Sequence, residues 1–564
     1  METGDLNLAC AWALVDGLVA GGVRDACLSP GSRSTSLALA LARHPDVAVR
    51  VHLDERSSAF FAVGLARATS RPVAIACTSG TAAAEFLPGV VEASQSRVPL
   101  VVLSADRPPR FRGTGANQTI DQVGLYGTYM RAGLDLPVPE APGQEAWWRQ
   151  AAREALEATR SDPVGPVHVN CPFEEPFAPL RDVALPPPSG ESLDLPDRPE
   201  AELTLEEADR LAALVTGARG AVVIGGWPGD VSEDATFWSD SLGWPVFAEP
   251  TSNARRPGRS LAAGQAVAGD RTWVLAHQPE VVIQLGAAPT TRTTQAFVAS
   301  ADGLVVADRW HLDPDVERRA SWRIAVDADA LGRAIGERRL QPAPAEWTEA
   351  WRDADDRGRV ALDGFLDATG EPFEPRIARD VAAAAPPGGT LFVGNSTPVR
   401  DLDLAMAPRD ELRVMANRGA SGIDGLVSTS LGVAAAAQGP VVALLGDLTF
   451  LYDLGSVAWN ADGGIDCTIV VVRNGGGEIF SLLPHLDVPE RRDLFVTPHR
   501  TDLGALARAA GVGHIQVDRG ADLVPALAHA AEATGLTVVE VVVDRARALA
   551  LREELRRTVA DALR

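Results

Sequence analysis

Two oxygen-bearing side chains follow two strand-like runs in the C-terminal part of the chain. Asp447 follows the apolar run that begins at Val441, and Asn474, 27 residues further on, follows the run that begins at Cys467. In an open parallel sheet, ligands bind just beyond the carboxyl ends of the strands. A carboxylate and an amide oxygen suit a hard divalent cation there, and the glycines after Asn474 suit a phosphate. The spacing predicts a metal-diphosphate site, although an ordinary doubly wound unit with Asp, Asn and Gly in its loops fits the same segment.

A carboxylate in the N-terminal part of the chain is a second candidate for chemistry. Glu55 stands at the predicted start of a helix with apolar flanks. Such surroundings raise the pKa of a carboxylic acid and suit it to proton transfer. A solvated glutamate at a helix start is the alternative. Ser32 and Ser79 also precede predicted helices, where serine is more typical of a helix cap than of catalysis.

The elements that must position these residues follow an alternating pattern. Strand-like apolar runs alternate with helical segments rich in Ala and Leu, which predicts an α/β fold of three doubly wound parallel-sheet domains. Proline-rich stretches at 185–199 and 341–375 predict the two domain boundaries. The predicted domains span residues 1–185, 195–340 and 375–564. The clearest strand predictions are 73–77, 100–103, 222–224, 281–285, 304–306 and 538–543.

The glycines of the central block do not match a nucleotide-binding motif. Gly225, Gly226 and Gly229 follow the strand predicted over 222–224, but their spacing does not fit the GxGxxG fingerprint of dinucleotide-binding folds. We therefore expect the central block to be a Rossmann-like domain with a structural role.

The composition excludes several classes of function. The net charge of −23 argues against binding to nucleic acid or to an anionic membrane. All 52 basic residues are arginine, so mechanisms that require a lysine amine are excluded. The dispersed cysteines and histidines form neither a disulfide framework nor a metal motif, and no GxSxG hydrolase motif is present. We find no membrane span or secretion signal and expect a cytoplasmic protein.

Short motifs at both ends of the chain resemble those of thiamin diphosphate-dependent enzymes. They are more closely similar to the family of 2-succinyl-5-enolpyruvyl-6-hydroxy-3-cyclohexene-1-carboxylate synthases, the carboligases of menaquinone biosynthesis. The similarity is weaker in the central block, around Gln284-Leu285-Gly286. The motifs are SPGSRST, DERS, TSGTA, ADRPP and GANQ in the N-terminal block, and VGNSTPVRDLD, NRGASGIDG, GDLTFLYDL and IFSLLP in the C-terminal block.

This resemblance implies thiamin diphosphate as cofactor, bound with Mg²⁺ or Mn²⁺. It assigns the metal to Asp447, Asn474 and the carbonyl of Gly476. Where the wider class has GDG…NN, this chain has GDL and Arg473-Asn474, so the substituted positions are not the side-chain metal ligands. The remaining cofactor contacts that it implies are Gly446, Leu448, Gly477, Ser396 and Ile423.

Two of the implied cofactor contacts have chemical roles. Glu55 matches the glutamate that hydrogen-bonds the aminopyrimidine ring and promotes removal of the thiazolium proton. Ile423 matches the apolar residue that supports the bent form of the cofactor, and an ordinary core isoleucine is the alternative. The resemblance also implies a homodimer or homotetramer whose active sites are shared between subunits.

The implied substrates are 2-oxoglutarate, which loses carbon dioxide, and isochorismate, which accepts the remaining four-carbon unit. Both carry several carboxylates, which guanidinium groups bind in a bidentate manner. Arg292 is an equally good candidate for a surface arginine, and the apolar residues of the set fit an ordinary helix start. The implied substrate residues are Arg33, Arg107, Arg292, Arg400 and Arg418, with Ser32, Asn117, Gln118 and Ser396 as neutral partners and Ile479, Phe480 and Leu483 as an apolar patch.

Two other functions fit parts of the same pattern. Another thiamin diphosphate-dependent decarboxylase or carboligase would use Glu55, Asp447 and Asn474 but would not require the set of arginines. A regulator that binds the cofactor without catalysis would keep the fold. A proton-relay carboxylate such as Glu55 argues against the regulator, because binding alone does not require it.

Overall fold

The computed structural model of the chain describes residues 2–181, 183–195, 201–226, 237–309, 314–326, 328–459 and 464–564. These residues form two compact units. The first unit consists of Met1–Arg198, Asn417–Ala437 and Leu451–Ile465, and the second consists of Pro199–Ala416, Gln438–Phe450 and Asp466–Arg564. Two segments of the C-terminal part of the chain therefore belong to the first unit, which the sequence pattern did not predict.

The first unit contains a six-stranded parallel sheet with the strand order β2-β1-β3-β4-β6-β5. Its central strands are buried along their whole length, as expected for a parallel sheet that is covered on both faces. The strands are β1 (Asp25–Leu28), β2 (Ala48–Val51), β3 (Val73–Cys77), β4 (Leu100–Asp106), β5 (Gly133–Asp135) and β6 (Val167–Pro172).

Helices cover this sheet and bury an apolar cluster that includes Leu14, Trp148 and Phe173. The helices of the N-terminal segment are α1 (Thr3–Ala20), α2 (Thr35–Arg43), α3 (Glu55–Thr69), α4 (Thr81–Glu85), α5 (Leu87–Gln95) and α6 (Glu145–Arg160). The first unit also takes up α16 (Leu426–Ala434) and α18 (Leu454–Trp459).

The second unit contains a five-stranded parallel sheet with the order β11-β10-β9-β7-β8. Its strands are β7 (Gly220–Ile224), β8 (Val246–Ala248), β9 (Val281–Leu285), β10 (Gly303–Ala307) and β11 (Trp322–Ile324). The helices of this segment are α7 (Leu205–Val215), α8 (Phe237–Leu242), α9 (Gly264–Ala268), α10 (Arg271–Ala276), α11 (Arg292–Ala299), α12 (Ala328–Gly336) and α13 (Ala345–Ala368).

A second six-stranded parallel sheet of this unit has the order β13-β12-β14-β15-β17-β16, which is the same order as in the first unit when each sheet is numbered from its own first strand. Its strands are β12 (Thr390–Val393), β13 (Arg413–Met415), β14 (Val441–Gly446), β15 (Cys467–Arg473), β16 (Gly513–Val517) and β17 (Leu536–Val542). The remaining helices are α14 (Glu374–Ala384), α15 (Thr397–Ala405), α17 (Asp447–Tyr452), α19 (Leu503–Ala509), α20 (Leu523–Ala531) and α21 (Arg545–Leu563).

The α/β fold class is confirmed, because every strand pairing in the three sheets is parallel and helices alternate with the strands. The six predicted strands are all present: two match the observed bounds, and the other four have ends that differ by up to three residues. The five cysteines are buried and unpaired, as expected. No helix in the described ranges is long and apolar enough to cross a membrane.

The stretch predicted as a boundary over 341–375 contains an element that the sequence analysis missed. The 24-residue helix α13 occupies Ala345–Ala368. Prolines lie only at the two ends of this stretch, before Ala345 and after Ala368, where they flank the helix. Trp351 and Leu362 of α13 join one apolar cluster that runs through both sheets of the second unit.

The division into three domains stays a prediction. Part of the boundary predicted over 185–199 lies outside the described residues, because 196–199 are not described. The glycine pattern that follows β7 also continues beyond them, since Gly229 belongs to the undescribed stretch 227–236. Gly225 and Gly226 are described and directly follow the last residue of β7.

Helices α3 and α16 of the first unit cross at two glycines. A β-carbon at Gly64 would lie 2.2 Å from the carbonyl oxygen of Thr429, and one at Gly432 would lie 2.0 Å from the carbonyl oxygen of Phe61. Because backbone atoms cannot retreat as a flexible side chain can, only glycine allows this approach. The crossing fixes α3, whose first residue is Glu55.

We expect Gly64→Ala to destabilise the protein by about 1–3 kcal/mol, because the new methyl group overpacks this crossing. The midpoint of urea unfolding, followed by circular dichroism, measures the change. Gly364→Ala is the matched control: Gly364 lies in α13 with nothing within 4 Å of its β-carbon position, so alanine should stabilise the helix by about 0.5–1 kcal/mol. An unchanged midpoint for Gly64→Ala would contradict the tight crossing.

Candidate active site

Asp447 joins the loops that follow two neighbouring strands of the second unit. It directly follows β14, is the first residue of α17 and is 1% exposed. Its Oδ1 accepts a hydrogen bond from the Leu448 N–H at 2.7 Å. Its Oδ2 accepts hydrogen bonds from the N–H groups of Gly475 at 2.7 Å and Gly476 at 3.2 Å. The residues after β14 and β15 therefore meet at the carboxyl edge of the sheet, as the sequence predicted.

A histidine that the sequence analysis did not single out also contacts this carboxylate. The Nε2 atom of His499 lies 3.2 Å from Oδ2 of Asp447. Burial raises the pKa of Asp447, whereas His499 and the backbone N–H groups favour its charged form. No spacing motif marks His499, because 52 residues separate it from Asp447. Only the tertiary fold brings the two together.

Asn474 immediately precedes the glycines that contact Asp447. Its amide nitrogen contacts a network of buried charged side chains. Its Nδ2 atom donates to Oε1 of Glu374 at 3.4 Å. Arg552 lies 3.4 Å from the other oxygen of Glu374 and donates two hydrogen bonds, of 2.6 and 2.9 Å, to the buried Asp401. An amide whose nitrogen donates in this way can still offer its oxygen to a cation.

The donors at this edge of the sheet fit a hard divalent cation. Asp447 and Asn474 offer a carboxylate and an amide oxygen, and the backbone carbonyl of Gly476 adds a third oxygen of the kind that Mg²⁺ and Mn²⁺ accept. Within the described part of the chain, no group of three or more His, Cys, Asp and Glu side chains could hold a metal ion. A cation site here therefore depends on amide and backbone oxygens.

The glycines after β15 are required by their surroundings. Gly476 has φ +151°, and a β-carbon there would lie 2.4 Å from the carbonyl oxygen of Val496. A short 3₁₀ helix over Glu478–Leu482 follows, which contains Ile479 and Phe480 and precedes Leu483. All three of these apolar side chains are half-buried, so they are available to line a cleft.

Ser396 and Arg400 form a strained turn after β12. Ser396 has φ +72° and ψ −126°, a conformation that L-residues rarely adopt and that costs about 1–3 kcal/mol. Nη1 of Arg400, one turn along α15, donates to the carbonyl oxygen of Ser396 at 2.6 Å. Backbone strain of this kind concentrates at functional sites, which is consistent with the prediction that both residues bind ligands.

Glu55 is the first residue of α3, as predicted, and belongs to the first unit. Asp54 caps the helix, because its Oδ1 accepts a hydrogen bond from the Ser57 N–H at 3.2 Å. Burial raises the pKa of Glu55, and the neighbouring charges of Asp54 and Glu85 add to the effect. The direction of this shift is the one that suits a proton-transfer group.

The buried carboxylate of Asp453 contacts the first turn of α3 and holds it in place. Asp453 is fully buried and accepts hydrogen bonds from the Ser428 N–H at 2.7 Å, the Ser428 hydroxyl at 2.8 Å and the Ser456 hydroxyl at 3.1 Å. The hydroxyl of Ser57, in the first turn of α3, donates to it at 3.4 Å. Asp453 therefore links α3 to α16 and α18.

Two predicted substrate arginines, Arg33 and Arg107, lie in the first unit. Burial lowers the pKa of Arg33, and the positive charge of Arg107 lowers it further. Arg107 is 8% exposed and donates to the hydroxyl of Ser79 and, at 2.6 Å, to the carbonyl oxygen of Gln118. Gln118 in turn donates to the carbonyl oxygen of Ser79 at 2.8 Å. Carboxylates lie near both arginines as well: Glu175 is 3.7 Å from Arg33, and Asp106 immediately precedes Arg107.

The other predicted site residues are placed as follows. Ser32 and Asn117 are exposed in loops of the first unit, and Arg292 is exposed at the start of α11 in the second unit. Arg418 and Ile423 are half-buried in the loop that precedes α16. The structure thus brings Asp447 next to Gly475 and Gly476, Arg107 next to Gln118, and Arg400 next to Ser396. It assigns Ser32, Arg33, Glu55, Arg107, Asn117, Gln118, Arg418 and Ile423 to the first unit, and Arg292, Ser396, Arg400, Gly446, Asp447, Leu448, Asn474, Gly476, Gly477, Ile479, Phe480 and Leu483 to the second.

Comparison with known proteins defines the class. Residues 9–125 match the N-terminal TPP-binding domain of thiamine pyrophosphate enzymes, and residues 403–541 match their C-terminal TPP-binding domain. The first match contains Glu55, and the second contains Asp447 and Asn474. The chain is therefore a thiamin diphosphate-dependent enzyme.

Individual relatives define the family. The chain is 41% identical to the 2-succinyl-5-enolpyruvyl-6-hydroxy-3-cyclohexene-1-carboxylate synthase of Thermobifida fusca, over 99% of this chain and 100% of that protein. It is 39% identical to proteins of the same name from Halobacterium salinarum, over 98% of both chains, and from Saccharopolyspora erythraea, over 99% of both chains. The chain belongs to the 2-succinyl-5-enolpyruvyl-6-hydroxy-3-cyclohexene-1-carboxylate synthase family.

Proposed function

We propose that this enzyme decarboxylates 2-oxoglutarate and adds the remaining four-carbon unit to isochorismate, which yields 2-succinyl-5-enolpyruvyl-6-hydroxy-3-cyclohexene-1-carboxylate and carbon dioxide for menaquinone biosynthesis. The observation that carries the proposal is the 41% identity to a synthase of that name over 99% of this chain. Arg33 and Arg107 support it, because guanidinium groups bind carboxylates and each substrate carries two of them. A cytoplasmic location remains our expectation from the composition.

We further propose that Mg²⁺ or Mn²⁺ joins the cofactor diphosphate to the second unit. Asp447, Asn474 and the carbonyl of Gly476 would hold the cation, and Gly446, Leu448 and Gly477 would lie against the diphosphate. The all-oxygen donor set and the contact of Asp447 with the glycine loop support this assignment. Ser396 would contact the cofactor from its strained turn.

When bound, thiamin diphosphate supplies a nucleophilic carbon and an electron sink for the decarboxylation. In this chain, Glu55 would hydrogen-bond the aminopyrimidine ring and exchange a proton with it. Its raised pKa supports that role, because a carboxyl group that takes up a proton more readily than an ordinary glutamate is better suited to exchange one. Ile423 would support the bent form of the cofactor.

The arginines would bind and orient the two anionic substrates. Arg33, Arg107, Arg400 and Arg418 would each hold a carboxylate, and each charged hydrogen bond of this kind contributes about 1.5–3 kcal/mol. Arg292, which is exposed at a helix start, would add a cation from the second unit. Ser32, Asn117 and Gln118 would be neutral partners, and Ile479, Phe480 and Leu483 would exclude water.

The test of the reaction follows loss of isochorismate in the purified protein with thiamin diphosphate, Mg²⁺ and 2-oxoglutarate, with each component omitted in turn. We expect turnover only when all four are present, with carbon dioxide released and a tricarboxylate product formed. Release of carbon dioxide without loss of isochorismate would identify a simple decarboxylase instead. Cofactor binding without any chemistry would identify a regulator.

Glu55→Gln should leave binding of the cofactor and metal largely intact but reduce turnover by about 10²–10⁴-fold, because an amide cannot exchange the proton. Stopped-flow exchange of the thiazolium proton and the steady-state rate measure the effect. Glu85→Gln is a matched control, since Glu85 only adds to the electrostatic field at Glu55. Near-normal turnover of Glu55→Gln would remove the proposed role.

We also propose a homodimer, or a homotetramer built from such dimers, with active sites shared between subunits. An exposed apolar patch next to Glu55 supports it: Val51, Leu53, Tyr452 and Trp459 are 48%, 65%, 54% and 47% exposed. They are held together, since Trp459 donates to the carbonyl oxygen of Val51 at 2.8 Å and Arg56 donates to that of Tyr452 at 3.2 Å. Contiguous apolar patches of this kind mark interaction surfaces.

Sedimentation velocity tests the assembly. We expect the mass of two or four chains for the wild-type protein and a shift towards one chain for Leu53→Arg, because a buried arginine without a partner disfavours association. Leu205→Arg is the control, since Leu205 is 80% exposed and belongs to the second unit, not to the patch residues. A wild-type protein that sediments as one chain would contradict the proposal.

A further inference from the structure

The loop over residues 417–425 carries two predicted ligand contacts but has no regular secondary structure of its own. It connects β13 to α16 and contains Arg418 and Ile423. Ser421 and Gly425 both have positive φ, +58° and +67°. A loop of this kind keeps one conformation only when other parts of the protein satisfy its backbone groups.

Glu92, on α5 of the same unit, satisfies two of these groups. Its side chain is 2% exposed. One carboxylate oxygen accepts a hydrogen bond from the Gly419 N–H at 3.0 Å, and the other accepts one from the Ala420 N–H at 2.8 Å. The Ser96 hydroxyl donates to the first oxygen at 2.5 Å. A carboxylate that bridges two successive backbone N–H groups fixes both the position and the direction of the chain.

Two glycines allow the loop to pack closely against the end of α5 and against α3. A β-carbon at Gly419 would lie 2.6 Å from the Ser96 hydroxyl oxygen and 2.7 Å from its backbone nitrogen. One at Gly425 would lie 2.0 Å from the ring of Phe60, in the helix that begins with Glu55. The loop is therefore held at its start by α5 and at its end by α3.

From this geometry we infer that Glu92 is a positioning residue, which sets Arg418 and Ile423 by holding the N–H groups of Gly419 and Ala420. The inference rests on the proposed function for what Arg418 and Ile423 bind, but the contact itself does not. Glu92 has no role in the chemistry proposed above. It acts through the loop, on the residue immediately before Gly419 and on the one three positions after Ala420.

The chemistry of the contact requires a carboxylate. Two N–H donors need two acceptor oxygens, and a glutamine side chain offers one oxygen and one NH₂ group. Glu92→Gln is nearly isosteric, yet it would turn an N–H donor towards another N–H donor. A loop with one unsatisfied N–H group would lose its single conformation.

Amide hydrogen exchange measures the contact directly and needs no substrate. In the wild-type protein, we expect slow exchange at Gly419 and Ala420, and in Glu92→Gln at least about tenfold faster exchange confined to peptides that cover 417–425. Ser96→Ala is the matched control, because it removes a hydrogen bond to the same carboxylate but leaves both loop contacts. If Glu92→Gln does not fold, Glu92→Asp keeps the charge on a shorter side chain and should give a partial increase.

Kinetics then separates positioning from a merely structural role. We expect Arg418→Ala and Glu92→Gln each to raise KM for the same anionic substrate about tenfold or more, and the double variant to show little more than Arg418→Ala alone. Fully additive effects would overturn the positioning role. Unchanged exchange and unchanged KM in Glu92→Gln, with an active wild-type enzyme, would overturn the inference. If loop exchange is faster in Glu92→Gln but the wild-type protein lacks the carboligase reaction, only the proposed function is overturned.

Discussion

The close crossing of α3 and α16 is the constraint on which the first unit depends. Gly64 and Gly432 allow the two backbones to touch, and the buried Asp453 ties both helices together through Ser57 and Ser428. The start of α3 presents Glu55, and the residues before α16 form the loop with Ile423. One helix pair therefore holds side chains from opposite ends of the sequence, and a β-carbon at either glycine would move both sets.

In the second unit, a network of buried charged side chains contacts Asn474. Asp401 and Glu374 are 3% exposed, and Arg552 lies between them. Burial raises the pKa of Asp401, which Arg552 opposes. Such a network is costly to desolvate, and it stabilises the fold only while all its members are present. Glu374 accepts a hydrogen bond from the side-chain amide of Asn474. The interactions that hold α14, α15 and α21 together therefore also orient a proposed metal ligand.

How much was predictable depends on how far apart the interacting residues lie. The strands and the start of α3 follow from local apolar patterns, and the meeting of Asp447 with the loop after Asn474 follows from the rule that parallel strands end at the same edge. The contacts of His499, Glu92 and Asp453 could not be predicted, because each depends on partners that only tertiary packing brings near. The same reason explains why the sequence did not indicate that residues 417–437 join the first unit.

Three of the proposed substrate arginines each donate a hydrogen bond to a backbone carbonyl oxygen. Arg33 donates to the carbonyl oxygen of Phe173 at 2.7 Å, Arg107 to that of Gln118 at 2.6 Å, and Arg400 to that of Ser396 at 2.6 Å. A guanidinium group has five N–H donors, so one bond to a backbone oxygen is compatible with binding a carboxylate. Because the backbone bond already restricts a long side chain, less conformational entropy is lost when a ligand binds. Because the chain has no lysine, binding of the proposed acidic substrates would depend on arginines that are restricted in this way.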